Sequence, residues 1–310
     1  MKRLCLILIF CLLLSACSSN IPAPVSLPDS PTTVTFTDDL GRSVTLANPQ
    51  RVACLTASFA DIWCAAGGAE QIIAATNATW TYFDLPLSED VVNLGQSKHL
   101  DLEQRIACEP DLILASCGTD RNLELEDTLT RLGFPIAYFS VNSLEDYLRM
   151  LEVCTKITGQ RECFTTNGIA VQARANAAIA RSDGTRPTVL CLRVTGNSCK
   201  VKGSQGTVLG EMLAQLDCVN IADREGSLLQ QLSMEVILQE DPEHIFLVLQ
   251  NEDAQGTLES TLLADPAWNS LTAVKEGRCH IMDPNLFNLK PNARWGEAYE
   301  QLADLLYPAA

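Results

Sequence analysis

Ser58, Ser97 and Ser204 are serines in loop-like stretches, and His99 follows Ser97 by two positions. Such groups do acyl-transfer chemistry when a serine sits on a sharp strand-to-helix elbow with a base and an orienting acid beside it. No Gly-x-Ser-x-Gly elbow is present, and no Ser/His/Asp order recurs. Nor does the sequence single out a carboxylate pair of the kind that cleaves glycosides. An exported enzyme is therefore kept only as the alternative of another class. The three histidines, His99, His244 and His280, are too few and too dispersed for a bare Zn²⁺ or Mn²⁺ site. Thirteen cysteines contain no Cys-x-x-Cys. The segment GSQGTVLG lacks the Gly-Lys-Ser/Thr ending of a nucleotide loop. It reads instead as a glycine-rich turn into a helix. The free N–H groups of that helix, with Arg193, Lys200 or Lys202 nearby, can hold an anionic group. Trp80, Tyr82, Phe83 and Phe287 can stack on a flat or apolar ligand, against the alternative of core packing.

A second pattern is repeated. LDLEQRIACEPDLILAS (100–116) and LSMEVILQEDPEHIFLV (232–248) share their apolar positions, their proline and a glutamate, Glu103 and Glu235, 132 positions apart. Asp101 and Ser233 suit the N-cap, which places each glutamate in a first helical turn. An acid there gains about 0.3–1 kcal/mol from the helix dipole. That accounts for one glutamate more readily than for the same register twice.

The elements that would carry these groups follow from periodicity. VTFTDDLGRSVTL reads as two alternating strands about a turn. RVACLTAS, DLILAS and IAYFSV are short apolar runs, as expected of buried parallel strands opening onto loops, and helical stretches alternate with them. From Ser143 to Arg181 the pattern is helical, broken only near Thr158-Gly159. Strand–helix alternation then resumes through PTVLCLRV, GTVLGEMLAQL, HIFLVLQ and CHIMD to a last helix, NARWGEAYEQLADLL. The expected class is α/β, with two Rossmann-like lobes of parallel sheet joined by a single long helix. The expected boundaries are 1–16, 17–33, 34–158, 159–182 and 183–310.

The first 16 residues read as an export signal: Lys2 and Arg3, then an apolar run from Leu4 to Leu14 that is too short to span a bilayer. Ten cysteines follow from Cys54 onward. Most read as small buried hydrophobes, and Cys191–Cys199 and Cys154–Cys163 are the disulfide pairs to test. Net charge is −16, and cleavage before Cys17 would take it to −18. That field repels polyanions and argues against a nucleic-acid role.

In combination these segments resemble the class III (cluster A) substrate-binding lipoproteins of ABC importers, the iron-siderophore/cobalamin periplasmic-binding family. The signs are VTFTDDLGRSVTL before NPQRVACL, Leu-x-Glu with PDLILAS, the Thr158-Gly159 break, the second glutamate with DPEHI, and DPAWNSLTAVKEGRCHIMD. Leu14-Ser15-Ala16-Cys17 is similar to a lipobox, and SSNIPAPVSLPDSPTT to a tether. The resemblance implies acylation at Cys17 and an extracytoplasmic, membrane-anchored, monomeric protein. It implies ligand capture between the lobes and delivery to a permease dimer with its ATPase subunits, with small hinge closure and no resident cofactor. By loop position and analogy, Ser58, Phe59, Trp80, Tyr82, Lys98 and His99 face the cleft from the first lobe. Arg193, Lys200, Ser204, Gln205, Asn251 and Phe287 do so from the second. Glu103 and Glu235 take the family's permease-docking role. The ligand implied is an iron-siderophore or related metal chelate, with cobalamin or haem as alternatives; a haem would find Tyr82 or His99 as axial candidates.

Overall fold

Apolar runs of three to six residues become parallel strands because both faces of such a sheet are covered. The computed structural model describes residues 33–96, 107–251 and 253–308. Lys98, His99 and Glu103 lie outside the described residues.

β1 (Thr33–Thr37) and β2 (Ser43–Ala47) form an antiparallel hairpin. Its turn closes because the Asp38 carboxylate accepts from Leu40 N and Arg42 N, and Gly41 takes φ +78°. Arg42 then reaches Asp38, Glu126 and the Ile136 carbonyl, and Asp39 N donates to Tyr138 O. The hairpin is thereby fastened to the first lobe.

That lobe is a five-stranded parallel sheet of β3 (Val52–Cys54), β4 (Ile72–Ala75), β5 (Val92–Asn93), β6 (Leu112–Ser116) and β7 (Ile136–Phe139). Its spatial order is β5-β4-β3-β6-β7. The order reverses between β3 and β6, and a crevice opens at the carboxyl ends of strands at such a point. The second lobe contains β8 (Thr188–Thr195), β9 (Ser198–Lys202), β10 (Val219–Asn220), β11 (His244–Leu249) and β12 (Cys279–Met282). The parallel order is β10-β8-β11-β12, and the reversal falls between β8 and β11.

Residues 198–202, a loop by sequence pattern, form the strand β9. It folds back antiparallel on β8, placing Arg193 opposite Lys200 and Cys191 opposite Lys202. Neither pair singled out for testing is joined, and all ten described cysteines are free thiols. Cys191 faces the core shared by the lobes. Cys199, paired with Val194, faces the outer core, so the sheet itself lies between them. Cys154 is fully buried within its helix.

Four helices position the site. α1 (Ala57–Ala65) follows β3. α2 (Leu144–Thr158) starts at a reciprocal cap between Ser143 and Asp146 and stops at Gly159, φ +73°. α3 (Val208–Gln215) is capped by Thr207, and α4 (Met234–Glu240) by Ser233. Between the sheets, residues 161–179 are helical with a π turn at Thr165–Ile169. Before the turn is complete, Tyr147 Oη donates to Asn167 O, and Asn167 Nδ2 donates to Ala65 O; both bonds are to the first lobe. Beyond it, Ala170–Ile179 packs on the last helix, α5 (Trp295–Leu306), with Arg174 paired to Glu300 and Arg181 to Asp304. One apolar core runs through both halves, and a smaller cluster lies under the outer face of each sheet.

Candidate ligand-binding site

The carboxyl-end loops of the two sheets meet. Asn292, beyond β12, sends Nδ2 to Ser58 O at 2.9 Å and to Asp61 Oδ2 at 2.7 Å on α1. Lys290 Nζ donates to Asn142 Oδ1 at 3.0 Å, just past β7. Asn292 is fully buried and holds φ +53°, a conformation asparagine adopts more readily than most residues. Burial raises the Asp61 carboxyl above its ordinary value, against the lowering effects of the Asn292 hydrogen bond and of Arg294.

Around this junction the second lobe gathers positive charge. Arg193, Lys200 and Lys202 project from one face of the β8–β9 ribbon, since residues opposite each other and two apart share a face. Arg193, Lys202, Thr207, Leu209, Val248 and Phe287 line a narrow crevice there. Burial holds Arg193 below its usual value. Lys202 is lowered by burial and then by its neighbours Arg193 and Lys200. Lys290 is lowered to about 8, chiefly by burial; Asp146 opposes this and Arg193 adds to it. Among the described residues none of these four cations has an acidic partner within salt-bridge distance. Concentrating unpaired like charge is costly unless an anion completes the site.

The other expected residues divide. Trp80 and Tyr82 are 44% and 47% exposed on a one-turn helix, Ala78–Tyr82, after β4; the sequence reading had them in a loop. Asn251 is exposed at the end of β11, beside the β8–β9 turn. Ser204 and Gln205 line a separate groove of about 650 Å³ on the flank of β9, which shares Lys202 with the crevice. Ser204 N is bonded to Asp223 Oδ1 there. Two expectations are corrected. Phe59, 1% exposed, packs edge-on against Phe139 in the core. Ser58, 6% exposed, offers its backbone carbonyl to Asn292 rather than its hydroxyl to a cleft. Phe287 is 2% exposed and serves as a wall of the cationic crevice rather than an open stacking surface. Another hollow, lined by Arg51, Ile72, Asp90, Val92 and Cys108, lies under the first lobe, with Ile72 at the amino end of β4.

Asn142, Lys290 and Asn292 were missed by sequence reading. The one local signal was Pro291-Asn292, a turn-forming pair. His244 and His280 form a stacked pair, Nδ1 to Nε2 at 3.1 Å, with His244 opening β11 at the amino end of its sheet. Burial, then His280, lowers His244 to about 4. Among the described residues no group of three or more His, Cys, Asp or Glu converges. Glu235 is exposed in the first turn of α4, whose cap Ser233 accepts from Val236 N.

The sequence profile of a family described as periplasmic binding protein matches residues 52–286. A cobalamin-binding protein of Halobacterium salinarum is 24% identical over 291 residues, 89% of this chain and 74% of its own length. A vitamin B12-binding protein of Pectobacterium carotovorum is 27% identical over 207 residues, 65% of this chain and 72% of its own. Among solved structures, a periplasmic haem-binding protein of Roseiflexus in apo form superposes with a TM-score of 0.67 at 20% identity, covering 83% of this chain and 98% of that one. That likeness bears on the two-lobed fold.

Proposed function

The chain belongs to the periplasmic binding protein family, and from that premise we propose that it captures an acidic metal chelate of the siderophore class between its lobes. Proteins of this family deliver ligands to ABC transporters. On this reading the chain is a monomer anchored outside the cytoplasm through lipidated Cys17, and it presents Glu103 and Glu235 to a permease dimer with its ATPase subunits.

The observation that carries the reading is the group of unpaired cations, Arg193, Lys200, Lys202 and Lys290, where the carboxyl-end loops meet, in a chain of net charge −16. The overall field repels an anionic ligand, so local charge must supply the attraction. Carboxylate or catecholate oxygens of a chelate satisfy those N–H groups with charge-assisted bonds. The exposed pair Trp80 and Tyr82 offers apolar faces to the rest of the ligand.

A second reading, a corrinoid, is favoured by the curated relatives named for cobalamin and vitamin B12 and by the same two aromatics. Haem is the third, with Tyr82 as an axial candidate.

Titration of tryptophan fluorescence with a ferric tris-catecholate, haemin and cyanocobalamin separates the three. The proposal expects tight binding of the anionic ferric chelate, weakened when Arg193 and Lys202 are both changed to Met. Tight binding of cyanocobalamin alone, unaffected by those changes, supports the corrinoid reading and overturns the first. Mass spectrometry of protein purified from its own host names the compound carried.

A further inference from the structure

Lys290 stands apart from the other cations because it already spans the junction. Its backbone belongs to the second lobe, and its Nζ is held by Asn142 of the first. An ammonium has three N–H donors, and only the bond to Asn142 is made to a described residue. The side chain is half-buried, so its remaining donors are poorly hydrated. Among the described residues the groups facing it are few. From the β7–α2 loop comes Asn142, and from the first turn of α2 comes Asp146. The Asp146 carboxylate is already committed to Asn142 N, Ser143 N and Arg149. From β8 comes Arg193, close enough to repel it.

We propose that Lys290 is a specificity-determining residue for the ligand: tethered across the lobes by Asn142, it receives, together with Arg193, an acidic group of the chelate. The inference rests on the function proposed above and adds the residue that couples ligand charge to the meeting of the lobes. An anionic oxygen placed between Lys290 and Arg193 replaces repulsion with two charge-assisted bonds, while Asn142 keeps the first lobe in contact. A neutral ligand leaves the two cations unpaired. The junction therefore discriminates by charge, in the way that a site with unmatched buried polar groups rejects a ligand lacking the partner.

The arrangement has a signature that packing alone lacks. The Lys290 ammonium loses its proton near pH 8 because of burial and Arg193. An anion beside it favours the charged form, so binding above that pH draws a proton from solution. Proton uptake on binding is therefore larger at pH 9 than at pH 7.

The test is calorimetry of the full chain with a ferric tris-catecholate at pH 7 and pH 9, in buffers of different ionisation enthalpy. Lys290→Met is expected to bind about 10–100-fold more weakly and to lose the pH 9 uptake. Lys290→Arg keeps a charge that does not titrate in this range. It is expected to bind within about threefold of the parent yet also lose the uptake. Retention of the pH 9 uptake in Lys290→Arg, or unchanged affinity in Lys290→Met, overturns the inference while leaving the proposed function standing. Failure of the parent chain to bind the chelate at either pH overturns both.

Discussion

Changing Asn292 to alanine removes a buried clasp between the lobes, and its cost can be worked out group by group. Asn292 Nδ2 serves Ser58 O and Asp61 Oδ2. The Ser58 carbonyl lies within α1 and keeps its helical partner, so losing the extra donor costs about 1 kcal/mol. The Asp61 carboxylate accepts no other hydrogen bond among the described residues, and removing a donor from a buried carboxylate costs about 1.5–3 kcal/mol. Alanine at φ +53° adds about 1 kcal/mol. One term opposes these: Asn292 Oδ1 is buried without a partner, and deleting it recovers about 1 kcal/mol. The net expectation is a loss of about 3 kcal/mol at pH 7, read as a shift in the urea midpoint at unchanged slope. Asn292→Gly tolerates the backbone and recovers about 1 kcal/mol of that. The sign with pH follows from Asp61. Its folded pKa is raised by burial, so the stability it contributes is present below its unfolded pKa and is lost as pH rises through the folded one. The Asn292 bond limits this loss by favouring the ionised form. Without it the loss is larger, so the deficit of Asn292→Ala shrinks on going from pH 7 to pH 4. A deficit below about 1 kcal/mol at pH 7, or one that does not shrink in acid, would refute the reasoning.

Other outcomes follow from the same structure. Glu103→Ala with Glu235→Ala leaves chelate affinity unchanged and lowers uptake in cells; weakened binding with normal uptake would contradict the docking role. Because the folded pKa of Lys290 is about 8, below its unfolded value of about 10.5, the unfolded chain binds more protons between those limits. Stability from this group therefore rises with pH across that window, and urea midpoints of Lys290→Met should lack the rise. Alkylation of the denatured, unreduced chain should label every cysteine from Cys54 to Cys279, and a protected pair would contradict the free thiols. Trp80→Ala should remove much of the fluorescence quenching by bound chelate, because Trp80 is exposed while Trp63, Trp268 and Trp295 are each at most 2% exposed.

The lobes were legible because their evidence is local to short stretches. VAC, LILAS and IAYF are apolar throughout, which a strand covered on both faces requires. The Ser143/Asp146 cap and Gly159 bound α2 by backbone chemistry within a few residues. β9 was less legible. Ser198–Lys202 sets Cys199 and Val201 between polar or charged residues, an alternation of only five positions, and its antiparallel pairing with β8 is set by the fold. The aromatics show the same division. Phe59, Trp80, Tyr82 and Phe287 all read as candidates, yet two are exposed and two are buried, and no neighbouring residue foretold which.

Periodicity, caps and turn residues act over a few positions, so strand–helix order and the acidic balance could be read from the chain alone. The junction could not. Asn292 meets Ser58 across 234 positions and Lys290 meets Asn142 across 148. Such contacts exist only once two sheets have closed and turned their carboxyl-end loops toward each other. The same closure decides which cations lose water and which acids stand near them. The charge of the site is therefore a property of the folded molecule, while the charges themselves were visible from the start.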